Sequence, residues 1–121
     1  MINIIEFESY EGTMGEKTEL DKELKIKVQL LFFSSIRSAT DKDQDEVYIH
    51  SESTVYELLQ FLSSIYGDKF KGEIFQPSTD DLRDDLTVSV NGIITEHSKI
   101  NTMKVTDGAI IALLPTFPGG G

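Results

Sequence analysis

Between residues 25 and 33 apolar and polar side chains alternate with a period of two. Ile26, Val28, Leu30 and Phe32 share one side, and Lys25, Lys27 and Gln29 begin the other. This pattern predicts a strand with one buried face. The alternation then breaks on the polar side, because Leu31 and Phe33 fall on the face the lysines began. Residues 34–44 are mostly polar and read as a turn-like connection. A second short strand is expected over residues 45–50, where Val47 and Ile49 flank Tyr48. From Val55 the period becomes helical, and Val55, Leu58, Leu59, Leu62, Ile65 and Tyr66 form one apolar stripe. Thr54 stands at the N-cap, with Glu57 three residues on to complete a capping box. Gly67 is placed to end the helix in the left-handed conformation.

Residues 68–86 read as a long charged connection, pinned to the body by Phe70, Ile74, Phe75 and Leu82. The acid pairs Asp80-Asp81 and Asp84-Asp85 lack the spacing of metal ligands and read as solvated loop charges. Residues 87–90 give a third strand, and Asn91-Gly92 is the strongest hairpin signal in the chain. Ile93 and Ile94 start the return strand. Asp107-Gly108 opens the last strand, residues 109–114, which Pro115 ends. Ile111 and Leu113 suit its buried face, yet Ile110, Ala112 and Leu114 on the opposite side are apolar too.

The element order is thus β, β, α, β, β, β. The first and last strands are the most hydrophobic, which suits central neighbouring places, and the intervening chain is long enough to pair them in parallel. The fold class expected is α+β, a β-grasp: a mixed sheet of four to five strands with one main helix on one face. Residues 25–121 make up this domain. Residues 1–24 form an acidic extension with seven acids against two lysines. There Ile5 and Phe7, with Ile2 and Ile4, suggest an edge strand, and a partly ordered leader is the other reading.

A length of 121 residues suits one domain, and a hydrophobic fraction of 39% suffices for a core. The net charge of −10 disfavours nucleic-acid backbones and anionic membranes as partners, and favours a basic protein surface. With no cysteine, disulfides, thiolate catalysis and cysteine metal sites are excluded. His50 and His97 stand far apart and suggest no metal site. No segment has the length of a membrane span or the form of a signal peptide, so the expected location is the cytoplasm.

Several pieces then fall in a telling order: residues 27–34 (KVQLLFFS), Thr54-Val55 before the helix, Val90-Asn91-Gly92, Asp107-Gly108, and a proline-containing tail ending in glycines. Together they resemble the MoaD and ThiS family of ubiquitin-like sulfur carriers, the MoaD branch best, and also the archaeal ubiquitin-like modifier proteins. The resemblance covers residues 25–121. It implies a carrier with no internal catalytic residue and no bound cofactor. It further implies that the C-terminal glycine, Gly121, is adenylated by an E1-like enzyme that uses ATP. On the same resemblance the acyl group is expected to become a thiocarboxylate, for molybdopterin-type cofactor biosynthesis with a MoaE-like large subunit or another sulfur acceptor. The alternatives are a modifier joined through the same glycine to target-protein lysines, and a non-covalent β-grasp binding module. The family usually ends in two glycines, whereas this chain has three.

The tail chemistry is coherent with that implication. Pro115, Thr116, Phe117, Pro118, Gly119 and Gly120 lead to the terminal carboxylate. The prolines stiffen the root, and glycines let a narrow site reach the carbonyl. A tail so rich in proline and glycine is expected to lack regular structure. The broken alternation adds a second expectation: Leu31, Phe33, Ala112 and Leu114 form an exposed apolar patch near the tail root, of the kind that marks a partner surface.

Overall fold

The computed structural model describes residues 24–116. Five strands are β1 (Lys25–Phe32), β2 (Gln44–His50), β3 (Leu86–Val90), β4 (Ile93–Thr95) and β5 (Ala109–Pro115). Four helices are α1 (Ser34–Thr40), α2 (Val55–Tyr66), α3 (Asp68–Ile74) and α4 (His97–Ile100). The strands form one mixed sheet in the order β2-β1-β5-β3-β4. β1 and β5 lie parallel at its centre, with Leu30 beside Ile111 and Leu31 beside Ala112. The remaining pairs are antiparallel. This is the expected β-grasp, with the two most hydrophobic strands as central neighbours.

The core lies between the sheet and the helices. Val28, Leu30 and Phe32 of β1, Val88 of β3, and Ile111 and Leu113 of β5 meet Val55, Leu58, Leu59 and Leu62 of α2, all buried. α2 begins where its sequence predicts. The Thr54 hydroxyl accepts from the Glu57 amide at 3.1 Å, and the Glu57 carboxylate accepts from the Thr54 amide at 2.9 Å. Such a box contributes about 1 kcal/mol. The Val55 amide also donates to the Met103 carbonyl at 2.8 Å, and the Val105 amide to the Ser53 carbonyl at 2.9 Å, so the helix start is tied to the strand leading into β5.

Four details of the sequence reading change. Residues 34–44 contain a helix, α1, whose Ile36 and Thr40 are buried. The connection over residues 68–86 opens with another, α3, which buries Phe70 and Ile74 one turn apart. The single main helix is therefore flanked by three shorter ones. Gly67 does have positive φ, but at φ 93° and ψ −168° it is extended in the mirror sense and not αL. No other residue type adopts that conformation readily, and it lets α3 start at once in a new direction. Finally, Ile65 is 49% exposed and stands off the apolar stripe that sequence spacing assigned to it.

Phe32 meets Tyr66 and Phe70 edge-to-face, and those two rings are tilted at 45° to each other, in a cluster joining β1, α2 and α3. The Tyr66 hydroxyl donates to the Asp45 carboxylate of β2. Burial at Asp45 opposes ionisation, but Tyr66, the Glu46 amide and Lys42 outweigh it, so the carboxyl titrates below its ordinary value. A depressed folded-state pKa adds stability above the unfolded value of 3.8. That stability disappears as pH falls through the folded value. Tyr66→Phe is expected to cost about 1 kcal/mol at neutral pH. The gap between parent and variant should close in acid, where both carboxyls are protonated. Urea unfolding across the acid range, with the Asp45 carboxyl followed by NMR, checks this; a gap independent of pH contradicts it.

Candidate functional site

The tail root is fixed by β3. Leu86 pairs with Pro115 and Thr87 with Leu114. Beyond the strand, the Thr116 amide donates to the Asp85 carbonyl at 2.5 Å, and the Thr116 and Thr87 hydroxyls bond to each other. The Arg83 guanidinium grips the Asp85 carboxylate through two bonds, at 2.9 and 3.0 Å. That pairing holds the Asp85 carboxyl below its ordinary range. It also steadies the turn whose carbonyl receives Thr116. Both side chains are well exposed, so the pair acts mainly on geometry. Pro115 and Thr116 are thereby placed. Phe117, Pro118, Gly119, Gly120 and Gly121 lie outside the described residues, as does nearly all of the acidic extension.

The four residues named from the broken alternation lie on the sheet face away from the helices, but only Phe33 among them is exposed. Leu31 and Ala112 are direct neighbours across the central parallel pair, and Ala112 faces Ser89 of β3. Leu31, Ala112 and Leu114 are half-buried, and Phe33, at the end of β1, is 43% exposed. The four residues therefore share one face beside the tail root. Sequence reasoning left two members out. Ile110, beside Gln29, is 42% exposed. Ile94 of β4 is 74% exposed and continues the row Leu31–Ala112–Ser89. The Asn91-Gly92 hairpin carried the signal for Ile94, since a two-residue turn fixes the register that sets Ile94 opposite Ser89.

Elsewhere, α2 and the segment after α3 bound an open cleft of about 770 Å³ lined by Glu57, Asp80, Asp81 and Asp84. Among the described residues no three His, Asp or Glu side chains converge as a metal site. No helix among them is long and apolar enough to cross a membrane.

Comparison with solved structures places this geometry among ubiquitin-like folds. The HVO 2177 protein of Haloferax volcanii superposes with a TM-score of 0.69 at 21% identity, over 80% of this chain and 89% of that one. SAMP1 of the same organism gives 0.66 at 19%, over 78% and 99%. A Pyrococcus furiosus protein assigned as molybdopterin converting factor, subunit 1, gives 0.60 at 22%, over 76% and 99%. At these identities the likeness is one of fold. No curated protein matches by sequence. The ThiS family model, however, matches residues 30–120, three quarters of the chain and all of the sheet but the start of β1. A ubiquitin-like sheet, a fixed tail root and that match together make this chain a member of the ThiS family.

Proposed function

We propose that this protein is a cytoplasmic acyl carrier whose working group is the carboxylate of Gly121. The observation that carries the reading is the apolar open face of the sheet, continuous with the root of a glycine tail in a ThiS-family chain. A carboxylate is a poor acyl donor. Attack of its oxygen on the α-phosphorus of ATP, with loss of pyrophosphate, converts it to an acyl-adenylate. Attack of a sulfide-level sulfur on the carbonyl carbon then expels AMP and leaves a thiocarboxylate. An E1-like enzyme supplies the ATP and the catalytic groups; the carrier supplies a docking face and a slender tail. The thiocarboxylate serves molybdopterin-type cofactor synthesis with a MoaE-like acceptor. The likeness in fold to SAMP1 favours a second reading, transfer of the same acyl group to target-protein lysines.

Intact mass of the protein isolated from its own cells tests these readings. A species heavier than the free acid by the difference between sulfur and oxygen supports the carrier. A ladder of lysine conjugates supports the modifier. A free acid alone, under conditions where the pathway runs, overturns both.

The docking face makes a separate prediction. Phe33→Asp places a charge on an exposed position, where substitutions change stability by about half a kcal/mol or less. At a desolvated apolar anchor the same change costs 2 kcal/mol or more of binding, roughly thirtyfold in Kd. Titration calorimetry against the E1-like partner, beside thermal unfolding, should therefore show binding lost and the melting midpoint kept. Unaltered affinity would rule Phe33 out of the interface.

A further inference from the structure

Among the described residues β2 is the outermost strand on its side of the sheet. The Ser51 amide donates to the Leu24 carbonyl at 2.7 Å and the Phe32 amide to the Asp43 carbonyl at 2.8 Å. With the β1–β2 register this assigns the bonds toward β1 to Asp45, Val47 and Ile49. The amides of Glu46, Tyr48 and His50 and the carbonyls of Glu46 and Tyr48 point the other way, and no strand pairs with them among the described residues; the His50 carbonyl accepts from the Ser53 amide at 3.1 Å. The Glu46 amide is taken by the Asp45 carboxylate at 2.8 Å. The Tyr48 and His50 amides remain as a template for an added strand.

α2 offers such a strand an apolar roof. Phe61 and Ile65, one turn apart, are 40% and 49% exposed. They project from the flank opposite Tyr56, whose ring packs on Phe75. Tyr66 bonds the end of α2 to Asp45 of β2, which sets that end of the helix on the β2 side of the sheet.

We propose that residues 2–8 of this same chain occupy that edge as a sixth strand. Three observations identify the occupant. In an extended segment Ile5 and Phe7 share one side, which supplies two apolar side chains to meet Phe61 and Ile65. Leu24 is held at the His50 end of β2, and the fifteen residues 9–23 reach about 50 Å when extended, against about 23 Å for the seven-residue edge. Charge also agrees. If the segment runs parallel to β2, with Glu8 at the His50 end, Glu6 and Glu8 fall on the open face in the rows of Lys27 and Lys25. That direction also gives the shorter return to Leu24. The family match begins at residue 30, so residues 2–8 lie outside it.

Amide hydrogen exchange of the full-length chain tests it. The Tyr48 and His50 amides should exchange about a hundredfold slower than unfolded rates, independently of protein concentration. Ile5→Asp with Phe7→Asp should abolish that protection and leave the inward Val28 amide unchanged. Phe61→Glu with Ile65→Glu, at positions already exposed, should do the same from the other side of the contact. Tyr48 and His50 amides that exchange at unfolded rates in the parent overturn the proposal, as does protection that survives both double variants. Protection that rises with concentration assigns the edge to a second copy and overturns it too.

Discussion

A chain lacking Gly120 and Gly121 is expected to keep its fold and to lose adenylation by its E1-like partner by more than about a hundredfold. The reasoning is one of reach. Pro115 is paired with Leu86 and Thr116 is bonded to Asp85, so on the acyl-carrier reading the distance from docking face to reacting carbonyl is set by the few residues beyond Thr116. Removing two of them shortens the extended span by roughly 7 Å. Displacements near 1 Å already cost ~10²-fold in steps that need near-attack geometry. The shortened chain should still bind its partner, because Leu31, Phe33, Ala112 and Leu114 are untouched. Removing Gly121 alone leaves Gly119-Gly120, and partial activity is expected. ATP–pyrophosphate exchange reads the effect directly, and a double-deletion chain that exchanges as fast as the parent refutes the acyl-carrier reading.

Phe32→Ala is expected to act in the opposite sense, on the fold and not on the chemistry. Phe32 is 1% exposed and meets Tyr66 at 5.7 Å and Phe70 at 6.1 Å between ring centroids, both edge-to-face. Truncation removes an aromatic ring from the junction of β1, α2 and α3 and leaves a cavity with little freedom to collapse. Losses of about 3–5 kcal/mol are typical of such changes, a large share of the ~5–15 kcal/mol available to a small domain. Chemical denaturation should show the midpoint falling steeply with little change in slope. Phe32 and Phe33 are adjacent in sequence yet on opposite faces of the sheet. The pair thus separates a stability phenotype from a binding phenotype within two residues.

The strands were legible because period-two alternation is a strong signal where one face is buried, and the Thr54–Glu57 box marked the main helix outright. α1 and α3 were not. The α1 sequence, SSIRSAT, is rich in residues that favour turns and caps, and Ile36 and Ala39 are its only apolar side chains. Burial of Ile36 against the end of the sheet, a tertiary effect, makes that segment helical. In α3, Gly72 sits inside a seven-residue helix and lowers its intrinsic propensity. Phe70 and Ile74, one turn apart, were read as anchors of a loop when they are the buried face of a helix. At the candidate site, the broken alternation of β1 and β5 revealed Leu31, Phe33, Ala112 and Leu114. Ile94 escaped because only the hairpin register, and no periodicity in a three-residue strand, assigns its face.

The central position of β5 has a consequence for how the protein is made. Synthesis runs from β1 to β5, yet β5 is the strand that joins β1 to β3. Until it leaves the ribosome, the described strands can form only two separate antiparallel pairs, β1 with β2 and β3 with β4, each with a bare inner edge. Such pairs are marginal alone, and closing the sheet waits for contacts between residues some eighty positions apart, such as Val28 with Ala109. A chain that stops short of β5 therefore leaves strand edges unpaired, which favours aggregation. On the proposed reading the docking face, too, is complete only once β5 is seated, because Ala112 and Leu114 belong to it.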